Sequence, residues 1–247
     1  MAGLLQKIST GEMPGLMKMI PAEDKLLLWA AGAIGGTAPS WMPARLGPME
    51  SARLVDRAAA EGMAGLLWRA LDKSGRGEIL FEKERERLKS IYYLTLQANL
   101  KHLDLLKRIL NAFNSERLPA VVLQGLSLLV DLYEDPGVRP VSDIDLWVLP
   151  GGLDRASALL HGLGFGSTRL YPRLFRKGEL LIDLRTQLLG AERIPARRFL
   201  MKTDQQSIFE NCRRLVYEGC ELRCLNPSDQ AIYLAMHAVK HNLERLV

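Results

Sequence analysis

The hydrophobic periodicity of this chain changes once, at Leu118-Pro119, and that change constrains the fold more than any other feature. Before it, apolar residues recur at the helical spacing of three or four, and no segment has the pattern of a strand. After it, short apolar runs alternate with turn residues, which is typical of buried strands. A chain with helices first and strands later is typical of the α+β class. We therefore predict a helical N-terminal region, a small mixed β-sheet core and C-terminal helices.

Residues 1–115 are expected to form the helical region. The apolar run at residues 26–36 has eleven residues, fewer than the roughly twenty that cross a membrane, so we predict a buried helix that ends at Gly35-Gly36 and no membrane partner. Residues 49–71 have helical spacing, and a long amphipathic helix is expected from about Phe81 to Asn114. Its predicted apolar stripe consists of Leu88, Ile91, Leu94, Leu100, Leu103, Leu106 and Leu110.

The core is expected over residues 116–200 and a C-terminal hairpin and helix over residues 201–247. Turn residues separate the predicted core elements, with Gly164 closing a helix and Lys177-Gly178 preceding a strand. The hairpin should turn at Glu218-Gly219, and the last helix should start at Asn226-Pro-Ser-Asp229. The predicted core strands are residues 120–123, 143–149 and 180–186, and the core helices are residues 126–133 and 153–163.

The composition excludes several classes of protein. In 247 residues, 48% are hydrophobic and 25% are charged, which argues against a disordered chain, a collagen-like fibre or a disulfide-rich miniprotein. Three cysteines at spacings of eight and four match no common zinc pattern, so Cys212, Cys220 and Cys224 are interpreted as reduced thiols of a cytoplasmic protein. The net charge of +5 favours an anionic partner.

Three aspartates are the strongest candidates for chemistry. Asp143 and Asp145 are two residues apart on a predicted strand, so both side chains project from the same face. Two like charges this close are unfavourable unless a cation lies between them, and Mg²⁺ suits carboxylate oxygens. Asp183, on a second apolar strand, is able to supply a third carboxylate if the two strands are neighbours. By this reasoning, replacing Asp145 with Asn should relieve repulsion and raise the stability of the metal-free protein.

A phosphate site is expected just upstream of the aspartates. Gly125 directly follows a predicted strand at the start of a helix, where free backbone N–H groups suit a phosphate, and Ser127 adds a hydroxyl. Each feature also has a structural explanation. Asp143 could cap a strand, Asp145 could be solvent exposed, and Gly125 and Ser127 could mark an ordinary helix start.

The segment LQGLSLLVDLYEDPGVRPVSDIDLWV, residues 123–148, resembles the bacterial nucleotidyltransferase family of the polymerase-β-like superfamily. The resemblance rests on the KG-small-L and LY-x-DP-x-x-RP-x-x-DIDL signature of that family. Three flanking segments are also similar: residues 98–123, the strand LLIDLRTQL at residues 180–188, and the C-terminal residues 222–247. Together they extend the resemblance over most of residues 49–247.

The resemblance implies a metal-dependent transferase that moves a nucleoside monophosphate from an NTP to an acceptor hydroxyl. Asp143, Asp145 and Asp183 would bind Mg²⁺ or Mn²⁺, with Asp183 also a candidate base. Gly125 and Ser127 would contact the triphosphate. The family's usual lysine before the glycine is Gln124 here, so Arg139 or Arg185 would supply the missing cation. The acceptor is open: a small molecule, a protein or RNA.

Gln124, and Arg185-Thr186 where many relatives have His-Trp, motivate a second hypothesis. The protein would then be a catalytically inactive relative that binds nucleotide or RNA. Residues 169–198 carry eight basic and three acidic side chains, which would attract a nucleotide or RNA or simply form a solvated surface. His237 and His241 have metal-ligand spacing, but a structural role is favoured. The sequence GLGFG at residues 162–166 follows a helix and is interpreted as its C-cap.

Overall fold

The structure, a computed structural model, describes residues 20–34, 36, 45–133, 135–188 and 204–240. These residues form two compact units. The first contains the described residues up to Gln97 and the loop Pro136–Pro140, and the second contains Ala98–Asp135 and the described residues from Val141 onward. The predicted region limits at residues 115 and 200 stay predictions, and residue 200 lies outside the described ranges.

The first unit is built from helices. Helix α2 ends and α3 begins around Gly62, whose φ of 73° is a left-handed conformation that favours glycine. The helical pattern over residues 49–71 is therefore two helices rather than one. Leu26, Trp29 and Ala30 of α1 are buried, as predicted. The helices are α1 (Ala22–Ile34), α2 (Pro48–Ala60), α3 (Ala64–Lys73) and the first part of α4 (Glu82–Ser115), with a 3-10 turn at Gly77–Ile79.

The long helix α4 has the predicted extent, but its buried face is partly different. Leu94 and Leu100 are 66% and 49% exposed, which contradicts their place in the predicted stripe. Leu94 is nine residues from buried Leu103 and so lies on the opposite side of a helix with 3.6 residues per turn, and Leu100 lies a third of a turn from buried Leu106. Polar residues take positions on the buried face instead, namely Asn99 and His102. The amide oxygen of Asn99 accepts a hydrogen bond from the backbone of Val141 at 3.1 Å, which accounts for its burial.

The second unit contains a mixed sheet of six strands in the order β3-β4-β2-β1-β6-β5. Strand β2 runs antiparallel to β1 and parallel to β4, and β1 runs parallel to β6. The two outer pairs, β3 with β4 and β5 with β6, are antiparallel hairpins. The strands are β1 (Val121–Leu123), β2 (Ile144–Trp147), β3 (Leu174–Lys177), β4 (Leu180–Arg185), β5 (Arg213–Tyr217) and β6 (Cys220–Cys224). The predicted α+β class is confirmed.

Each face of this sheet has its own apolar core. On one face, Ile144 and Leu146 of β2 pack with leucines from α4 and from two further helices, α5 (Gln124–Asp131) and α6 (Leu153–Gly162). On the other face, Trp147 packs with Phe209 of α7 (Gln205–Glu210) and Tyr233 of α8 (Pro227–Lys240). Because side chains alternate along a strand, Asp145 faces the same side of the sheet as Trp147. The aspartates therefore lie on the face covered by α7 and α8.

Several local predictions are confirmed. The β5–β6 hairpin turns at Glu218 and Gly219, both with positive φ, as a two-residue hairpin turn requires. Asn226 and Asp229 cap α8 reciprocally, and the backbone N–H of Asp229 donates to the amide oxygen of Asn226 at 2.9 Å. Gly164 follows α6 with a φ of 85°, so GLGFG marks a helix end.

One strand was not predicted. Strand β3 contains Arg176 and Lys177, which the sequence places in a basic stretch without the pattern of a strand. None of the described helices is apolar enough over a sufficient length to cross a membrane. Arg193, Arg197, Arg198, Gly35 and His241, which the sequence singled out, lie outside the described residues.

Candidate active site

The sheet register places three positions side by side. Leu123 at the end of β1 pairs with Asp145 on β2, and Asp145 pairs with Asp183 on β4. Because β2 and β4 are parallel neighbours at this register, the two aspartates extend from the same face. The condition under which Asp183 is able to supply a third carboxylate, that its strand adjoins that of Asp145, is met by this pairing.

A single guanidinium connects the two carboxylates. Nη2 of Arg185 donates to Oδ1 of Asp145 and lies 3.0 Å from Oδ2 of Asp183. All three side chains are buried, with Asp145 only 3% exposed. A cation does lie between acidic groups here, as the charge argument requires, but it is an arginine of the chain itself.

Burial dominates the electrostatics of Asp145. It raises the pKa of this carboxyl from 3.8 to about 7, although the charge of Arg185 opposes the shift and those of Asp143 and Asp183 add to it. For Arg185 itself, burial is the largest influence and lowers the pKa, but Asp145, Tyr233, Asp183 and Asp143 together outweigh it, and the pKa ends above its usual value. The arginine is therefore cationic at any working pH, whereas Asp145 titrates near neutrality.

The guanidinium is held from its other side by Tyr233 of α8. Nη1 of Arg185 donates to the phenol oxygen of Tyr233 at 3.0 Å. The same oxygen accepts a hydrogen bond from Nε2 of Gln124 at 3.1 Å. Burial raises the pKa of Tyr233 to about 12, so its hydroxyl keeps its proton. A continuous polar network thus runs from Gln124 through Tyr233 and Arg185 to the two aspartates.

Gln124 begins α5 directly after β1, in a left-handed conformation with φ of 52°. Such a conformation is costly for a residue with a Cβ and often marks a functional turn. Gly125 is half-buried in the first turn of α5. Ser127 is buried, and its hydroxyl donates to the carbonyl of Gln124 at 2.8 Å. The helix start predicted to hold phosphate therefore adjoins the strand position that pairs with Asp145.

Asp143 lies at the entrance of β2 and is half-buried. Its Oδ1 accepts a hydrogen bond from the hydroxyl of Ser142 at 3.0 Å. Within the described ranges, no three His, Cys, Asp or Glu side chains are grouped so that they could hold a metal ion. The shared metal site of Asp143, Asp145 and Asp183 therefore stays a prediction.

The donor chemistry of the pair nevertheless fits a hard divalent cation. Asp145 and Asp183 present carboxylate oxygens on adjacent strands, and carboxylates are the protein ligands that Mg²⁺ and Mn²⁺ prefer. In the arrangement described here, one oxygen of each carboxylate is engaged by Arg185. Any metal at this pair must compete with that guanidinium.

The remaining predicted residues are placed as follows. Arg139 lies in the loop Pro136–Pro140 of the first unit, so its role toward the triphosphate stays a prediction. Within the basic stretch, Arg173 donates to the hydroxyl of Thr186 at 3.1 Å, next in the chain to Arg185. His237 is half-buried and lies near the ring of Tyr233, with 6.5 Å between ring centroids.

The sequence did not identify Tyr233 as a residue of the site, and it did not indicate the hydrogen bond that the Gln124 side chain makes there. Tyr233 belongs to α8, 48 residues from Arg185 along the chain. Its signal was a lone aromatic residue on a predicted apolar helix, which is ordinary in a core. Gln124 was noted only as a missing lysine, whereas its amide is a hydrogen-bond donor to the same phenol oxygen.

A family described as uncharacterised nucleotidyltransferase has a sequence model that matches residues 48–247. This match covers more than half of the chain, and it confirms the family predicted from residues 123–148. The chain has no match among curated proteins.

Two solved structures resemble part of the chain. The solution structure of the antibiotic-resistance factor ANT(2'')-Ia is 19% identical, covers 57% of this chain and 74% of its own, and has a TM-score of 0.42. A crystal structure of ANT(2'')-Ia with adenylyl-2''-tobramycin is 17% identical, covers 59% of this chain and 92% of its own, and has a TM-score of 0.38. At these scores the likeness carries no argument about substrate or mechanism.

Proposed function

This chain belongs to the uncharacterised nucleotidyltransferase family and is thus a transferase enzyme, and we propose that it moves a nucleoside monophosphate from an NTP to an acceptor hydroxyl with the help of Mg²⁺ or Mn²⁺. One observation carries the proposal. Leu123, Asp145 and Asp183 are aligned in the sheet register, so the carboxylate pair and the start of α5 lie at the same part of the sheet. A phosphate-binding turn beside paired carboxylates suits phosphoryl chemistry.

Binding of the NTP is assigned to the β1–α5 turn and to cationic side chains. The first backbone N–H groups of α5, around Gly125, have no partner within the helix and suit an anion, and the hydroxyl of Ser127 retains acceptor capacity. Gln124 carries no charge, so Arg185 is proposed to neutralise phosphate charge. A guanidinium forms two parallel hydrogen bonds to phosphate oxygens, which also fixes their orientation.

The metal would be held by Asp145 and Asp183, with Asp143 at the entrance of the same strand. When bound, such an ion neutralises triphosphate charge and lowers the pKa of an attacking hydroxyl. In the transfer, the acceptor oxygen bonds to the α-phosphorus as the bond to the pyrophosphate oxygen breaks. Asp183 is the proposed acceptor of the hydroxyl proton, and pyrophosphate leaves with the displaced electron pair. Most of the rate enhancement would come from positioning and electrostatics.

Label transfer from an NTP tests this proposal. The protein is incubated with Mg²⁺, each α-³²P-labelled NTP in turn, and an extract that supplies small molecules, proteins and RNA. We expect one NTP to leave its label on an acceptor and to release pyrophosphate, and Asp145→Asn and Asp183→Asn to abolish both. Asp154→Asn is the matched control, because Asp154 is exposed on α6. Transfer that survives in both site variants would refute the assignment.

A catalytically inactive, nucleotide-binding relative is the second candidate. It is favoured by Gln124 at the usual lysine position and by the ion pairs that already engage one oxygen of each carboxylate. This candidate predicts that Mg²⁺ with an NTP raises the melting temperature without pyrophosphate release. At a ligand concentration one hundred times the Kd, the stabilisation would be about 2.7 kcal/mol. Pyrophosphate release above that of Asp145→Asn would exclude it.

A further inference from the structure

The buried guanidinium of Arg185 occupies the place where a bridging cation would bind. Nη2 alone contacts oxygens of both Asp145 and Asp183, the latter at 3.0 Å. Nη1 is anchored on Tyr233, and the residue as a whole is 8% exposed. An exposed arginine would reorient freely, but this one is packed and hydrogen-bonded on two sides. The ion pairs are therefore a well-defined part of this site.

The guanidinium and a divalent ion compete for the same carboxylate oxygens. A Mg²⁺ ligand bond is about 2.1 Å long, so a metal bridging Oδ1 of Asp145 and Oδ2 of Asp183 would collide with the nitrogen that already bridges them. The two cations would also repel each other strongly in a buried site, where water screens charge poorly. Occupation of these oxygens by Arg185 and by a metal is thus mutually exclusive.

The hydrogen bonds of Arg185 are not complete. Within the described part of the chain, its buried Nε finds no hydrogen-bond acceptor. A buried donor without an acceptor costs free energy, so the present position is held by the carboxylates and Tyr233 and is not ideal for the whole group. The phenol oxygen of Tyr233 also links Arg185 to Gln124, in the turn proposed to bind phosphate. A triphosphate at this turn would offer the guanidinium a second anionic partner.

We propose that Arg185 is an internal counter-ion that closes the Asp145–Asp183 pair and must leave these carboxylates before a divalent cation binds there. The proposal rests on the proposed function, because it concerns the regulation of the same site. It implies that metal alone binds weakly and that nucleotide and metal bind cooperatively. The nucleotide draws the guanidinium away, and the metal then takes its place.

Titration with Mn²⁺ in the absence of nucleotide tests the proposal, with free Mn²⁺ measured by electron paramagnetic resonance. Arg185→Gln removes the competing charge and keeps a polar side chain, and we expect it to bind Mn²⁺ at least about tenfold more tightly than the unsubstituted protein. Arg176→Gln is the matched control, because Arg176 is exposed on β3 and bonds to the carbonyl of Gly178. The Mn²⁺ affinity of this control should be unchanged. Both variants lose one positive charge, so a gain in Arg185→Gln alone is not an effect of net charge.

Equal or weaker Mn²⁺ binding by Arg185→Gln, or no binding by either protein, would overturn the proposal. So would an equal gain in the Arg176→Gln control. If Arg185→Gln does not fold, Tyr233→Phe replaces it, because loss of the phenol oxygen frees Nη1 and should raise Mn²⁺ affinity several-fold. An unchanged affinity in that variant would then overturn the proposal.

The outcome is separable from that of the label-transfer experiment. A gain in Mn²⁺ affinity without nucleotidyl transfer by the unsubstituted protein would support the counter-ion and remove the catalytic proposal. Nucleotidyl transfer by the unsubstituted protein, without a gain in Mn²⁺ affinity in Arg185→Gln, would support the catalytic proposal and remove the counter-ion.

Discussion

The side-chain amide of Gln124 donates a hydrogen bond of 3.1 Å to the phenol oxygen of Tyr233, and this bond ties the β1–α5 turn to helix α8. The same oxygen accepts the bond from Arg185, so one phenol group is an acceptor for both neighbours. Tyr233 is 3% exposed. Because water does not reach this oxygen freely, the amide of Gln124 and Nη1 of Arg185 depend on it as their hydrogen-bond acceptor.

Tyr233→Phe should therefore destabilise the protein more than the loss of one hydrogen bond implies. The change leaves the amide of Gln124 and Nη1 of Arg185 without their acceptor, and we expect the free energy of unfolding to fall by about 2 kcal/mol. Urea denaturation followed by circular dichroism measures the change. Tyr171→Phe is the control, because Tyr171 is 65% exposed and its substitution should have no measurable effect. Equal stability of the two variants would show that the network contributes nothing.

Asp145→Asn should lower the stability of the metal-free protein at pH 8. Burial of this charge, which raises the pKa of the carboxyl, opposes folding, but the ion pair with Arg185 offsets that cost, and Asp145→Asn removes the pair together with the charge. Removing one partner of a buried ion pair leaves charge uncompensated, and with Asp183 still present we expect a loss of about 2 kcal/mol. From the sequence alone a gain in stability is expected, because Asp143 and Asp145 repel each other and the ion pair of Asp145 with Arg185 is not evident.

Thermal melts in the presence of a chelator decide whether Asp145→Asn lowers or raises the stability of the protein. Asp143→Asn is the matched control, since Asp143 is half-buried and accepts a hydrogen bond from Ser142. Its melting temperature should change much less than that of Asp145→Asn. A higher melting temperature for Asp145→Asn would show that repulsion dominates over the pair with Arg185.

Gly65→Ala should destabilise the first unit. A Cβ at Gly65 would lie 1.9 Å from the carbonyl oxygen of Gly137, a backbone atom that cannot turn aside as a side chain does. The loop Pro136–Pro140 would have to move from α3, and we expect a loss of about 2 kcal/mol. Gly151→Ala is the control, because a Cβ there meets nothing within 4 Å. A melting temperature for Gly65→Ala at or above that of Gly151→Ala would contradict the close packing.

The three thiols should resist alkylation in the native protein. Burial raises the pKa of Cys212 to about 11 and that of Cys224 to about 12, and it raises the pKa of Cys220 as well. Only the thiolate reacts, and at pH 8 a thiol of pKa 11 is about one-thousandth ionised. Iodoacetamide labelling at pH 8, read by mass spectrometry, should be slow in buffer and rapid in guanidinium chloride. Rapid native labelling of Cys224 would show that its strand is not packed as described.

Elements with strong local signals were predictable. The turn at Glu218-Gly219, the cap formed by Asn226 and Asp229, and the strand that carries Asp145 each depend on neighbours in sequence. Strand β3 was missed because its basic residues suit an exposed edge strand as well as a charged loop. Leu94 and Leu100 were misplaced because leucines alone do not define a helix face that also buries Asn99 and His102.

The sequence by itself determined the order of helices and strands, the spacing that places Asp143 at the entrance of the strand that carries Asp145, and the family motif. Only the tertiary structure decided which cation meets the carboxylates. Arg185 reaches Asp145 across 40 residues of sequence, and Tyr233 reaches Gln124 across 109. Those contacts depend on the register of parallel strands and on where α8 packs over the sheet, and both are set by long-range burial of apolar surface. Local periodicity contains no information about either, so the sequence predicts a metal site at the aspartates and gives Arg185 only as a candidate cation for the triphosphate.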